Sequence, residues 1–151
     1  MRAVKCVIQR VLSASVTVGE ELVSEIGSGM LILGAVEKGD GEQTMRDAAK
    51  KIRELRIFAD ERGKMNRDVA EAGGAILAVS QFTLAGSIAR GRRPSFDKAE
   101  EPERARELFE LFLTELASTG ITVRSGRFRE MMKVALENDG PVTFVYETRG
   151  E

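Results

Sequence analysis

The chain contains no histidine and no tryptophan, only one cysteine, one tyrosine and three prolines among 151 residues. Each scarcity removes a class of chemistry. Without histidine there is no Ser-His-Asp or Cys-His arrangement, no HExxH zinc helix and no imidazole acid–base step. A single cysteine forms no intramolecular disulfide and no cysteine-based zinc cluster, which makes a cytosolic home the default expectation. Cys6 falls in an alternating segment, where a buried inert thiol is the expected state. No apolar run approaches the ~20 residues of a membrane span, and the opening MRAVKCVIQR alternates too quickly for a signal peptide. The net charge of −1 announces no general nucleic-acid binder, so any nucleic acid bound here must meet a local patch.

What is present is a globular balance, 42% hydrophobic and 31% charged, in a length that suits one domain over residues 1–151 with a proper core. Alternation predicts strands over 3–9, 14–18 and 21–26, the last pair turning at Gly19-Glu20. GMLILGAV, 29–36, is a continuous apolar run of central-strand length. Asp40 offers a helix N-cap with Gln43 in the capping-box position, and Met45, Ala48, Ala49, Ile52 and Leu55 follow at helical spacing. A strand near 56–59 and the turn DERG lead through an irregular stretch to AILAVSQF, 75–82. Pro102 suits a first helical turn, Ala105, Leu108, Phe109, Phe112 and Leu116 form one apolar face, and Gly120 ends the helix. Strands are expected again over 121–125, 127–136 and 141–147. This pattern predicts an α+β fold: a mostly antiparallel curved sheet or barrel with two long helices packed outside.

Along RFREMMKVALE, 127–137, Phe128, Met132, Val134 and Leu136 share one face, and Arg127, Arg129, Met131, Lys133 and Glu137 line the other. The plain reading is a core face and a solvated face; the sharper one puts basic side chains and a methionine beside a polyanionic partner. The arginine-rich loop GSIARGRRPSFDK, with Arg90, Arg92, Arg93 and Lys98, either solvates a turn or meets phosphates.

Two short segments carry chemical interest. SQFTL, 80–84, ends a buried strand, where backbone N–H groups leave the ladder and Ser80 and Thr83 add hydroxyls. NDGPVT, 138–143, reads either as a hairpin turn with a proline that blunts an edge or as a cis Gly-Pro step presenting two carbonyls to one side.

With their neighbours VIQRVLSASVTV, IGSGMLILGAVEKGD, LRIFADERGKMN and GRRPSFDKA, these segments make the chain resemble the D-aminoacyl-tRNA deacylase family over essentially its full length. It departs from the family where Phe-Gly-Ala is common and Phe128-Arg129-Glu130 stands here. The resemblance implies a cytoplasmic, cofactor- and metal-free hydrolase acting on the acceptor end of tRNA that carries a D-amino acid or glycine. It implies a homodimer with its sites at the interface. Carried over, Ser80, Gln81, Phe82 and Thr83 hold the scissile ester, Gln81 and Phe82 through main-chain N–H groups. Gly140 and Pro141 form a wall that rejects L-amino acids, Arg10 braces that wall, and Met132 and Phe96 flank the terminal adenosine. Two rivals stay open: a catalytically silent aminoacyl-ester or amino-acid binding module, and a metal-dependent esterase drafting Asp60 and Asp68.

Overall fold

The computed structural model describes residues 4–147; residue 3, the first of the expected opening strand, lies outside them. Eight strands and two long helices follow in the order β1 (Lys5–Val18), β2 (Glu21–Ile26), β3 (Gly29–Ala35), α1 (Glu42–Arg53), β4 (Phe58–Ala59), β5 (Met65–Arg67), β6 (Ala75–Ser80), α2 (Pro102–Ala117), β7 (Val123–Ser125) and β8 (Lys133–Glu147). A 3₁₀ turn, Phe82–Ala85, follows β6. The strand order is β2-β1-β3-β6-β7, with β8 along the other edge of β1. β1 pairs antiparallel with β2, β3 and β8, whereas β6 pairs parallel with β3 and β7. The sheet is therefore mixed rather than purely antiparallel. It curls until the Ser24 hydroxyl donates to the Ser125 carbonyl at 2.7 Å, tying β2 to β7 and nearly closing the sheet.

Alternation along the strands divides the apolar residues between two layers. Cys6, Ile8, Met30, Ile32, Ile76 and Ala78 face the helices, which return Met45, Ala48, Ala49 and Ile52 from α1 and Leu108, Phe109, Phe112 and Leu116 from α2. Val11, Ala14, Val16, Leu31, Leu77 and Val79 fill the other face, inside the curl. β3 is covered on both sides, as its unbroken apolar run requires.

The two strands expected over 3–9 and 14–18 are one. A register shift between Val11 and Ser13 inserts an extra residue, so the alternation changes parity: Cys6 and Ile8 face the helices while Ala14 and Val16, also even, face the interior. A bulge does this without ending the strand. Where β3 and β6 begin, a Cβ on Gly29 (φ +156°) would lie 1.8 Å from the Ala75 carbonyl oxygen. Only glycine permits that approach.

Other expectations shift locally. Gly41, not Asp40, caps α1, and its N–H donates to the Thr44 hydroxyl at 3.2 Å. Asp40 is buried and accepts the Glu37 N–H at 2.7 Å. β5 emerges from the stretch read as irregular and forms a hairpin with β4. The Asp60 carboxylate accepts the N–H groups of Lys64 and Arg62 in that turn, which holds its pKa below the usual range.

Candidate active site

Three groups of residues make up the candidate site. The first is the end of β6. Ser80 lies opposite Gly34 of β3, and the Gln81 N–H closes the ladder on the Gly34 carbonyl at 2.7 Å. The strand thus stops at Ser80, two residues short of the expected 82, and the Gln81 amide is engaged by its own sheet. The chain then tightens into the 3₁₀ turn: Leu84 donates to the Gln81 carbonyl at 3.2 Å and Gly86 to that of Thr83 at 3.0 Å. The N–H groups of Phe82 and Thr83 open this turn, where no intrahelical acceptor exists. With the Gln81 N–H engaged, they are the donors that the turn itself leaves without an acceptor. The Gln81 side-chain amide donates to the Thr83 hydroxyl at 3.1 Å. An amide donor cannot take the hydroxyl proton, so this contact orients Thr83 without activating it.

Phe82 is 61% exposed, and Phe96 folds back beside it with ring centroids 5.2 Å apart and planes inclined at 53°. Phe96 also lies over Gly86, where a Cβ would approach its ring to 2.8 Å. Sequence spacing alone did not join Phe96 to SQFTL; the backbone pairing of Ser87 with Ser95 does.

The second group also includes Ser80. A cavity of about 270 Å³ is lined by Ser80, Arg106, Phe109, Gly126, Phe128 and Glu130, among others. Residues 127–130 are a turn rather than the start of the expected strand, with Arg129 at φ +67°. Phe128 consequently leaves the face it was expected to share with Met132 and lines the cavity under the Arg106 guanidinium, 5.2 Å from the ring centroid. Met132 packs against the interior layer instead, and its sulfur accepts the Arg127 N–H at 3.4 Å. Leu136 is 38% exposed rather than core. The Arg127 guanidinium pairs with Glu21 at 2.7 Å, which draws that carboxyl's pKa down. Arg106 and Gly126 were not singled out in the sequence. The available signal was Ser125-Gly126, a turn dipeptide at the break between the two expected strands.

The third group is Arg10, Gly140 and Pro141. NDGP does not reverse the chain. β8 runs through it, pairing Asn138 with Val11 and then Thr143 with Gln9, so residues 139–142 bulge out of one continuous strand. The Gly140-Pro141 peptide is cis. The Asn138 side chain closes the bulge by accepting the Val142 N–H at 2.7 Å. Arg10, whose side chain is 14% exposed, donates from Nε to the Asp139 carbonyl at 3.1 Å and from Nη1 to the Ile57 carbonyl at 2.7 Å. A Cβ at Gly140 (φ +140°) would meet Val142 at 2.6 Å and the Arg10 guanidinium at 3.4 Å.

Within one chain this bulge does not meet the β6 end. Ser80 is aligned with Gly34 and Cys6, whereas the bulge sits beyond β1 near Arg10. Three inter-strand spacings of ~4.8 Å, about 14 Å, separate them across the sheet, and four residues along it. β8, however, is an edge strand with Leu136, Phe144 and Val145 exposed. Elsewhere, Cys6 is fully buried and its thiol is pushed up to about 12 by desolvation, with Asp40 adding to the shift. Asp60 and Asp68 serve their own turns, and no group of three potential metal ligands occurs among the described residues.

A family profile described as D-Tyr-tRNA(Tyr) deacylase matches residues 7–147. The D-aminoacyl-tRNA deacylase of Pelobacter propionicus is 53% identical over 143 residues, covering 95% of this chain and 99% of that protein. The D-aminoacyl-tRNA deacylase of Persephonella marina is 54% identical over 143 residues, covering 95% and 97%. Among solved structures, a c-Myc DNA Unwinding Element Binding Protein superposes with a TM-score of 0.90 at 38% identity, covering 95% of this chain and 98% of that one. A probable eukaryotic D-amino acid tRNA deacylase superposes with a TM-score of 0.83 at 16% identity, covering 97% and 100%, a likeness of fold alone.

Proposed function

The chain belongs to the D-Tyr-tRNA(Tyr) deacylase family, and from that premise we propose that it hydrolyses the ester joining a D-amino acid to the terminal ribose of tRNA. The observation that carries this reading is the bulge at 139–142. It is a protruding main-chain feature, held by Arg10 at an unpaired sheet edge. Two copies of the chain joined along β8 bring the partner subunit's Gly140 and Pro141 over the end of β6. Neither half makes a complete site alone.

In that arrangement the N–H groups of Phe82 and Thr83 receive the ester oxygen. Such donors contribute ~10²–10³ each when aimed at the developing oxyanion. Water adds to the carbonyl carbon, the bond to the ribose oxygen breaks, and the proton lost by water ends on that oxygen. The neighbouring 2′-hydroxyl assists this transfer, a role no side chain of this histidine-free chain needs to fill. The Thr83 hydroxyl, oriented by Gln81, positions the substrate, and Ser80 lines the floor beside the cavity. Phe96 and Met132 border the space for the terminal adenosine.

The partner's Gly140 and Pro141 carbonyls stand where an L side chain projects. They exclude it by contact and lone-pair repulsion, while a D side chain points outward and is not read. Glycine has nothing to collide and is accepted. No described helix is long and apolar enough to cross a membrane. The compartment we propose is the cytoplasm, because charged tRNA is found there.

The test is multiple-turnover hydrolysis of D-Tyr-tRNA and L-Tyr-tRNA after exhaustive chelation. We expect many equivalents of D-tyrosine released and L-Tyr-tRNA left intact. Stoichiometric capture without release would favour an ester-binding module, and loss of activity on chelation would favour a metal-dependent esterase.

A further inference from the structure

We propose that the loop between Ser87 and Ser95 is the surface that receives acceptor-stem phosphates, through Arg90, Arg92 and Arg93. The inference rests on the reading of a tRNA ester as substrate and adds where the rest of that RNA lies.

The loop is built rather than loose. Ser87 and Ser95 exchange two backbone hydrogen bonds of 2.7 and 2.8 Å at its base, and Gly91 supplies a positive φ of 64° near its tip. Both legs are tied to the segment that holds Thr83. The incoming leg leaves the 3₁₀ turn at Gly86, whose N–H bonds to the Thr83 carbonyl. The outgoing leg runs straight into Phe96, whose ring is tilted against that of Phe82. Whatever binds at Thr83 therefore has this loop at a fixed place beside it.

Its charge is out of keeping with the chain. Residues 87–98 hold four cations and one anion in a protein of net charge −1. Lys5, Arg10, Arg46, Lys50, Arg104 and Arg127 each face a carboxylate within 3.5 Å. Arg90, Arg92 and Arg93 make no such pair among the described residues, and all three are exposed. Three guanidinium groups within four residues repel one another unless an external anion neutralises them. Guanidinium groups suit phosphate geometry.

Reach decides which phosphates. Each leg of three to four residues extends at most ~10–14 Å from the loop base. Successive phosphates of a strand advance only a few ångströms along a stem. The tip thus lies a few phosphates from the ester, at the 3′ overhang and the first pairs of the stem. Contacts of this kind set position and carry no base identity.

The experiment measures binding of an unacylated acceptor-stem hairpin RNA by fluorescence anisotropy between about 50 and 200 mM salt. It compares the wild-type protein with R90A/R92A/R93A and with R90K/R92K/R93K. Each lost phosphate contact removes ~0.7–0.9 from the slope of log K against log salt. The alanine variant is expected to lose about two units of slope and at least tenfold in low-salt affinity, and the lysine variant to keep the slope. The KM for a D-aminoacyl ester of adenosine alone, which has no stem phosphates, should move less than twofold. An alanine variant with wild-type slope and affinity, or a wild-type protein that does not bind the RNA, overturns the proposal. Failure to hydrolyse D-Tyr-tRNA would instead strike the functional reading, because the slope is read without turnover.

Discussion

Replacing Arg10 with lysine keeps the charge and most of the stem but removes the fork that grips two carbonyls at once. Arg10 spans from Asp139, beside the Gly140-Pro141 step, to Ile57, at the start of the β4–β5 hairpin. A hydrogen bond from a charged donor contributes about 1.5–3 kcal/mol. The ion contact to Asp139 adds little, because that carboxylate is 43% exposed. A lysine ammonium can keep one carbonyl and not both, so the brace weakens by roughly one such bond. If rejection of L substrates depends on how firmly the bulge is held, discrimination falls by up to roughly 10- to 150-fold at 1.36 kcal/mol per decade. The assay is single-turnover kcat/KM for D-Tyr-tRNA and L-Tyr-tRNA, with the urea midpoint measured in parallel. Rising L-Tyr release with D-Tyr release largely retained supports the brace. A lower midpoint with an unchanged D-to-L ratio would refute it and leave Arg10 as a fold contact only.

The remaining predictions concern chemistry and burial. Thr83→Ala removes one neutral hydrogen-bonding group, worth about 0.5–1.5 kcal/mol, so kcat should fall by roughly 2- to 12-fold; abolished turnover with intact binding would make Thr83 a nucleophile. A 2′-deoxy terminal ribose should slow hydrolysis, and an undiminished rate would remove the substrate's own hydroxyl from the mechanism. Cys6 should resist thiol reagents at pH 8 until the protein is unfolded in urea. Its folded pKa is raised to about 12 from 9.0, so its contribution to stability is full below pH 9 and is lost as pH climbs toward 12. Cys6→Ala should therefore flatten the alkaline decline of the urea midpoint, and an identical decline in both proteins would contradict this.

Long apolar signals were legible because one physical cause dominated them. The run 29–36 had to be covered on both faces, and the helix faces around Met45 and Phe112 repeated at the helical period. Where two causes competed, alternation misled. Residues 10–13 break the parity of β1, which looks like two strands when the break is a bulge. NDGP has the composition of a hairpin turn, yet pairing of both its flanks with β1 keeps β8 running straight past it. Of the candidate site, SQFTL and Gly140-Pro141 stood out in the sequence because their motifs are local. The contact of Arg106 with Phe128 was not legible, because they meet only where the 127–130 turn carries Phe128 under α2. Nor could any pattern show that Gln81 spends its N–H on Gly34, since that depends on where the parallel ladder ends. Asp40 illustrates the same limit: a good cap by type, it was drawn inward to Glu37 while Gly41 took the helix end.

The claim that handedness is sensed by main-chain oxygens and not by reactive side chains is tested most directly with the smallest side chain. Glycyl-, D-alanyl- and L-alanyl-tRNA differ by a single methyl group and its side. Measured under identical single-turnover conditions, the glycyl and D-alanyl esters should be hydrolysed at similar rates while L-alanyl-tRNA survives. Release of L-alanine at a rate near that of glycine would mean that nothing stands where the methyl group projects, and the account would be wrong.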